Sequence, residues 1–287
     1  MRAYHENRLY SSKQPFYVSQ FENFNFLAHW HTDVEVIYVC EGSIRIGINS
    51  ESRLLHAGDI AICSSGDIHY YDSHSSTSTM ILIIFHPSLI GCTGSWPPQS
   101  RFVSPFMDIN DANHATNEQF VALPQHRQEI TELILKMKQE VDKKEPYYEN
   151  VTVGMIHTLC GLLLRHIPSR QIDLSGDNRR ILNMKIMQEV LDYLETNYMN
   201  GVKLEEAAKQ AKMSLFHFSR FFKNITGMSY TSYLNRLRID KAEEMIMSTQ
   251  QTMLEIALEC GFTNVRTFNR VFKQLKQCKP TDLRFPK

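Results

Sequence analysis

Between Val34 and Tyr71, β-branched and aromatic residues alternate with polar ones. In "SIRIGI" the alternation puts Ile44, Ile46 and Ile48 on one face, and Gly42, Gly58 and Gly66 punctuate the run, so the stretch predicts short half-buried strands joined by tight turns. Short strands with frequent turns predict a small β-barrel or sandwich. From residue 125 the period changes. Ile130, Leu133, Ile134, Met137 and Val141 recur at helical spacing, and after "DKKEPYYEN" so do Met155, Ile156, Leu159, Leu162 and Leu163. Two helices are expected, with Pro146 in the turn or at the start of the second. The stretch "IPSRQIDLSGDNRR" combines Pro, Ser, Gly and charge and reads as a linker. Helical spacing then returns twice, in Leu204, Ala207, Ala208 and Ala211 and in Met253, Ile256, Ala257 and Cys260.

Each of these short helices is followed by a near-copy of one hexapeptide. "FSRFFK" at 218–223 and "FNRVFK" at 268–273 lie 50 residues apart and share Phe, Arg, Phe and Lys. Between helix and hexapeptide, "KMS" and "GFTN" read as tight turns, with Gly261 available for positive φ and Ser214 and Asn264 as N-caps. The prediction is helix, turn, helix, twice, over about 203–224 and 252–274. Phe218, Phe221 and Phe222, like Phe268 and Phe272, would anchor each second helix to the core. The opposite face then carries Leu215, Phe216, Ser219, Arg220 and Lys223 in the first copy and Val265, Arg266, Asn269, Arg270 and Lys273 in the second. Arg and Asn can pair bidentately with base edges, Lys meets phosphate, and an exposed apolar side chain can touch a thymine methyl group. The plainer alternative is a helical repeat whose arginines only solvate a surface; shared turn chemistry and a shared exposed arginine favour DNA reading. "SYTSYLNRLRIDKAEEMIM", 229–247, has Tyr233, Leu237, Ala242 and Met245 toward one side and reads as one continuous helix joining the two units. It would be roughly 28 Å long, a span suited to two recognition helices about one DNA turn, roughly 34 Å, apart.

Charge sharpens this picture. The formal net charge is zero, yet residues 1–177 hold 13 Lys and Arg against 20 Asp and Glu, net −7, while residues 178–287 hold 18 against 11, net +7. A basic C-terminal third suits a polyanionic partner. Six cysteines without a CxxC pair (Cys40, Cys63, Cys92, Cys160, Cys260, Cys278) fit neither a zinc knuckle nor a disulfide scaffold and are expected as reduced, mostly buried thiols. The longest apolar run, "MILIIF" at 80–85, falls far short of a membrane span of roughly 20 residues, and "MRAYHENRLY" lacks the apolar core of a signal peptide. A cytoplasmic protein with no membrane partner is expected.

The C-terminal segments "LEEAA", "MSLFHFSRFFKNITGMSYTSYLNRLRIDKA" and "EIALECGFTNVRTFNRVFK" closely resemble the AraC/XylS family of bacterial transcription regulators, over about residues 185–284. The resemblance implies a DNA-binding domain of two helix-turn-helix units on a connecting helix, double-stranded DNA as partner, and RNA polymerase as a further partner if the protein activates. In the tail "QCKPTDLR", Cys278 stands where the family usually has Gly and Leu283 where it usually has Tyr before Arg284, departures that bear on C-terminal packing.

Further upstream, His29-x-His31-x3-Glu35-x6-Gly42 resembles the first cupin motif. Gly58-x5-Ser64-x-Gly66-x2-His69 resembles the second, with Ser64 in the usual proline position. Cupins are small double-stranded β-helix barrels whose enzyme members hold a metal by three His and one Glu, and His29, His31, Glu35 and His69 would be those ligands here. On strand parity His29, His31 and Glu35 would share one side of a strand, with His69 brought opposite by a return strand and Trp30 pointing outward. Three readings are open: a catalytic metal centre of a dioxygenase or sugar isomerase with a helical appendage, a polar pocket that senses a ligand, and histidines hydrogen-bonded at the barrel mouth. The regulator resemblance favours the second, implying a small effector such as a saccharide held by His29, His31, Glu35 and His69. No catalytic residue and no obligatory cofactor are then expected, with a divalent metal on the same four residues as an option. The helix pair is the family's common dimer surface.

The expected fold is α+β. Its N-terminal part is a cupin-like barrel for effector sensing over 1–120, followed by a helical dimerisation segment over 121–168 and a linker over 169–180. An all-α DNA-binding domain over 181–287 completes it, in a chain expected to form a homodimer.

Overall fold

The computed structural model describes residues 15–73, 76–107, 124–171 and 178–284. Parts of the expected effector domain (1–14, 74–75 and 108–120), the opening of the dimerisation segment (121–123), six residues of the linker (172–177) and the last three residues lie outside them. The chain divides into two compact units, Met1–Ile181 and Leu182–Lys287.

The first unit is built on one long strand. β1 (Phe16–Glu22), β2 (Phe26–His29), β3 (Val34–Ile48), β4 (Glu51–His56), β5 (Ile60–Cys63), β6 (His69–Asp72), β7 (Ser78–Phe85), β8 (Ser100–Phe102) and β9 (Phe106–Met107) follow in order. The first half of β3 pairs with β7 and β5 in the order β1-β7-β3-β5-β9, and its second half pairs with β4 and with β6, which in turn carries β2. The change of partner is made at a register shift between Val39 and Glu41, followed by Gly42 at φ +69°. A Cβ on Gly42 would lie 1.9 Å from the Thr77 carbonyl oxygen, so this bend admits only glycine.

Alternation divides the strand residues between two cores. Ile37, Val39, Ile44, Ile46, Ile48, Leu55, Met80, Leu82 and Ile84 fill the barrel interior. Val34, Val36, Ile60, Ile62, Ile81, Ile83 and Phe85 point the other way, against two helices. "MILIIF" is apolar without alternation because β7 is covered on both faces.

Those helices are α1 (Pro124–Lys143) and α2 (Tyr148–His166), with Pro146 in the turn between them. Ile130, Ile134, Met137 and Val141 of α1 and Ile156, Leu159 and Leu163 of α2 are buried against the barrel, whereas Leu133 is only half-buried at the edge. Arg127 ties α1 to the barrel: one guanidinium nitrogen meets Asp59 at 3.0 Å, the Gly58 carbonyl at 3.1 Å and the Met107 carbonyl at 2.6 Å. The stretch that reads as linker departs from expectation. Ser169–Gln171 forms β10, paired antiparallel with β8, and α3 (Asn178–Asn197) starts inside the expected linker's last residues. β10 is exposed throughout, so burial left no apolar alternation for the sequence to reveal.

In the second unit α3, α4 (Leu204–Gln210), α5 (Leu215–Thr226), α6 (Tyr230–Ser248), α7 (Met253–Glu259), α8 (Val265–Lys276) and α9 (Pro280–Arg284) follow. α6 contacts α5, α7, α8 and α9, and it buries Tyr230, Tyr233, Leu234, Leu237, Ile239, Ala242 and Ile246 around its circumference. This explains why its apolar residues follow no single stripe. Phe218, Phe222, Phe268 and Phe272 are fully buried. Phe221, expected as an anchor, is half-buried and stacks on exposed His217 at 6.4 Å. The tail also needs correction: α5 ends on Gly227 at φ +75° and α8 ends 50 residues later on Gln277 at φ +57°, so the glycine-type position of the second unit is Gln277, not Cys278. All six cysteines are free; Cys63, Cys160 and Cys260 are buried and the others half-buried. Among the described residues no helix is long and apolar enough to cross a membrane.

Candidate functional site

At one end of the barrel four potential ligands converge. β2 and β6 are in register at His29 and His69, and Glu35 has the inward parity of Ile37 and Val39. The expected arrangement of His29, His31 and Glu35 along one strand is not what brings them together. β2 stops at His29, His31 lies in the connection to β3, and Glu35 belongs to the next strand. The connection is held over the barrel end because the Gly66 N–H donates to the His31 carbonyl at 2.8 Å, with Gly66 at φ +81° in the turn before β6. Ring centroids are 4.2 Å apart for His29 and His69, 5.0 Å for His31 and His69, and 5.6 Å for His29 and His31. One ligand atom from each of His29, His31, Glu35 and His69 lies within 4.8 Å of all the others. Trp30, expected to point outward, is half-buried.

The shell behind these groups orients them. His29 Nδ1 lies 2.9 Å from the Leu27 carbonyl and His69 Nδ1 lies 2.9 Å from the Asp67 carbonyl, so each Nδ1 is held by the backbone and each Nε2 is turned to the cluster. Asp67 is fixed in turn: its carboxylate accepts from the Ser64 N–H at 2.9 Å and from the Asn49 amide at 2.8 Å. His31 Nε2 is 2.9 Å from Glu35 Oε1, Tyr71 donates its hydroxyl to Glu35 Oε2 at 2.5 Å, and His69 Nε2 is 3.3 Å from the same oxygen. Two buried ring nitrogens, His31 Nδ1 and His69 Nε2, have no well-aligned hydrogen bond.

Electrostatics follow from burial. Desolvation, reinforced by the neighbouring His69 and His31 rings, pushes His29 well below the ordinary histidine value. Burial alone would raise Glu35, but the His69 ring beside it and the hydrogen bond from His31 hold it well below the usual carboxylate range. For His69 burial acts downward and is outweighed by the Cys63 thiol and the Glu35 carboxylate, which hold the ring well above its ordinary value. Burial pushes the Cys63 thiol up to about 11. Cys63 and Tyr71 are neighbours of the cluster that motif spacing does not reveal; their inward strand parity, shared with Ala61 and His69, is the signal that could have found them. Beside the turn after β5 lies a solvent-open cleft of about 680 Å³, lined in part by Asn49, Ser64, Asp67, Arg101 and Arg170.

The second surface belongs to α5 and α8. Ser214 caps α5 by accepting from the His217 N–H at 3.3 Å, and Asn264 caps α8 by accepting from the Thr267 N–H at 2.8 Å. Gly261 sits at φ +82° in the second turn, where a Cβ would lie 2.6 Å from the Tyr198 carbonyl oxygen. With Phe218, Phe222, Phe268 and Phe272 buried, Leu215, Phe216, Ser219, Arg220 and Lys223 are exposed on α5, and Arg266, Asn269, Arg270 and Lys273 on α8. Val265 departs from the expected face: it is half-buried and packs on the core of its own unit. Phe216 is 73% exposed, with the Arg220 guanidinium 5.7 Å from its ring centroid. Cations elsewhere in this unit hold structure. Lys276 bridges Asp240 at 2.8 Å and Glu243 at 2.6 Å, Arg238 donates to the Tyr198 and Asn200 carbonyls, and Arg284 donates to Gln251. Among the described residues Arg220, Lys223, Arg266, Arg270 and Lys273 make no ion pair, so both second helices present unneutralised positive charge to solvent.

A small β-barrel unit joined to a unit of two helix-turn-helix motifs defines a class: the DNA-binding regulator with a barrel domain. Comparison with known proteins agrees at both ends, since a helix-turn-helix domain model matches residues 207–285 and a cupin domain model matches residues 23–85. The chain is 23% identical over 256 residues to the uncharacterized HTH-type transcriptional regulator YdeC of Bacillus subtilis, covering 88% of this chain and 84% of that one. It is 24% identical over 267 residues to the HTH-type transcriptional activator RhaS of Escherichia coli, covering 91% and 88%. It is 31% identical over 113 residues to the transposon Tn10 TetD protein of Escherichia coli, covering 39% of this chain and 81% of TetD. The chain belongs to the AraC/XylS family of transcription regulators, whose helix-turn-helix units bind DNA. It is a regulator and not a cupin enzyme with a helical appendage.

Proposed function

We propose that this regulator is controlled by a small polar effector, of saccharide type, taken up at the barrel mouth by His29, His31, Glu35 and His69. One observation carries the reading: three imidazoles and a carboxylate converge at the end of a barrel whose remaining interior is filled by apolar side chains. Polar groups at the rim of an apolar interior give a ligand orientation and specificity. The donor set also fits a first-row divalent cation, because His29 and His69 each have Nδ1 locked on a backbone carbonyl and Nε2 turned to the cluster. His29, His31, Glu35 and His69 would hold that ion, which supplies an electrophilic point for hydroxyl or carbonyl oxygens of the effector.

DNA is read by Phe216, Ser219 and Arg220 of α5 and by Arg266, Asn269 and Arg270 of α8, with Leu215 as an apolar flank and Lys223 and Lys273 on phosphate. Two copies pair through the solvent face of α1 and α2, where Leu135, Val151 and Leu164 are exposed. The protein works in the cytoplasm, and RNA polymerase is its partner where it activates. Effector binding acts by preferring one arrangement of units or protomers over another, because a ligand that binds two arrangements equally shifts nothing.

A thermal-shift screen of the full chain against saccharides, with and without Mn²⁺, tests the sensing half. A ligand of the native state raises Tm by mass action, and the rise should vanish in His69→Gln. An equal rise in both chains would place the effector elsewhere. A mobility-shift series on DNA upstream of the chain's own coding sequence tests the reading half, with retardation that weakens as salt rises.

A further inference from the structure

A second group of ligating side chains lies away from the barrel mouth. His126 and Glu129, three residues apart, share a face of the first turns of α1. α2 returns antiparallel and ends at His166, which stacks on His126 with ring centroids 3.6 Å apart and planes inclined by 16°. One ligand atom from each of the three lies within 4.8 Å of the others. We propose that His126, Glu129 and His166 form a divalent-cation site of the His₂Glu type, with zinc as its chemical class of ligand, clasping the start of α1 to the end of α2.

Three features support it. Imidazoles stacked this closely repel when both are protonated, so the pair offers nitrogen lone pairs rather than positive charge; desolvation, the His126 ring and the nearby Arg165 guanidinium all depress proton binding at His166. Two imidazoles and one carboxylate are a donor set that zinc accepts, with water completing four-coordination. The side chains are half-buried or exposed, so small rotamer changes can bring nitrogen and oxygen to about 2.0–2.2 Å from an ion without disturbing a core. Of the neighbouring cations, Arg127 is already drawn to Asp59 and to the Gly58 and Met107 carbonyls, and Glu129 offsets Arg165. His166 is followed at once by Ile167 and then β10, so an ion here stiffens the point where the helix pair hands the chain on.

Zinc binding to the full-length protein, measured by isothermal titration calorimetry, tests the site. The barrel cluster is first disabled by His31→Gln and His69→Gln together, with folding checked by circular dichroism. This chain should bind one equivalent of Zn²⁺, and adding His166→Gln should abolish that binding. Glu129→Gln, at an exposed helix position that leaves the fold intact, should weaken it about ten-fold or more. Co²⁺ in place of Zn²⁺ should give ligand-field bands without a thiolate charge-transfer band. Unchanged stoichiometry and affinity in His126→Gln and His166→Gln, or a thiolate band, would overturn the proposal. Either result leaves DNA retardation and the saccharide screen untouched.

Discussion

Arg220 and Arg270 occupy matching places in the two units, 50 residues apart, exposed and without a carboxylate partner among the described residues. A bidentate contact to a base is worth about 1–3 kcal/mol of discrimination. Arg220→Ala should therefore weaken specific binding by about that amount and relax preference at one operator position, read by titrating operator variants in a mobility-shift assay; unchanged affinity and preference would remove the assigned role. Gly261 is sterically closed to any side chain. Gly261→Ala meets both a left-handed backbone and the Tyr198 and Met199 carbonyl oxygens at 2.6 and 2.7 Å, so a loss of about 1–3 kcal/mol is expected in chemical denaturation. Gln277→Gly, at the equivalent of Gly227, should instead stabilise by about 0.5–1 kcal/mol. Single residues were legible where they act on their own neighbourhood. Ser214 and Asn264 cap three residues ahead, as their types suggest, whereas the backbone angle at Gln277 is not encoded in a residue type that rarely adopts it.

At the level of elements, periodicity located both helix-turn-helix units and the α1–α2 pair because each repeats apolar residues along one buried face. α6 shows the limit: Tyr233, Leu237, Ala242 and Met245 mark one side of it, but the helix also buries Tyr230, Leu234, Ile239 and Ile246, so a single stripe describes only part of its buried surface. α7 is secured by a capping box in which Thr252 accepts from the Glu255 N–H at 3.3 Å and Glu255 accepts from the Thr252 N–H at 2.7 Å. Thr252→Ala should cost about 0.5–2 kcal/mol in denaturant unfolding. Arg127 joins α1 to the turn at Asp59, and nothing in the spacing of residues so far apart announces the pair. Removing one partner of a buried ion pair costs about 3–5 kcal/mol, so Arg127→Met should lower the melting temperature of the barrel unit while a tryptic fragment comparison shows the helical unit unchanged. β10 escaped notice because an exposed strand of three residues carries no hydrophobic signature.

On the scale of the whole chain, charge is partitioned between an acidic first part and a basic last part, and the five unpaired cations of α5 and α8 concentrate that basicity on one kind of surface. Each phosphate neutralised contributes about 0.9 to the slope of log affinity against log salt. Lys273→Ala should accordingly lower the slope by about one while leaving sequence preference intact, measured by mobility shift across a salt series.

Helix, strand and cap were determined by the amino-acid sequence itself, since each depends on residues within one or two turns, the repeat was read from self-similarity, and the four barrel ligands were named from their resemblance to the cupin motifs. Their convergence was decided by tertiary structure. The β2–β6 register sets His29 beside His69, the β2–β3 connection folds His31 back, and Tyr71 and Cys63 reach the same cluster from other strands. Such meetings depend on strand register and loop path over tens of residues, and a shift of one residue would turn each inward side chain outward. Local patterns carry no record of that choice, because the free energy that selects it comes from packing the whole core.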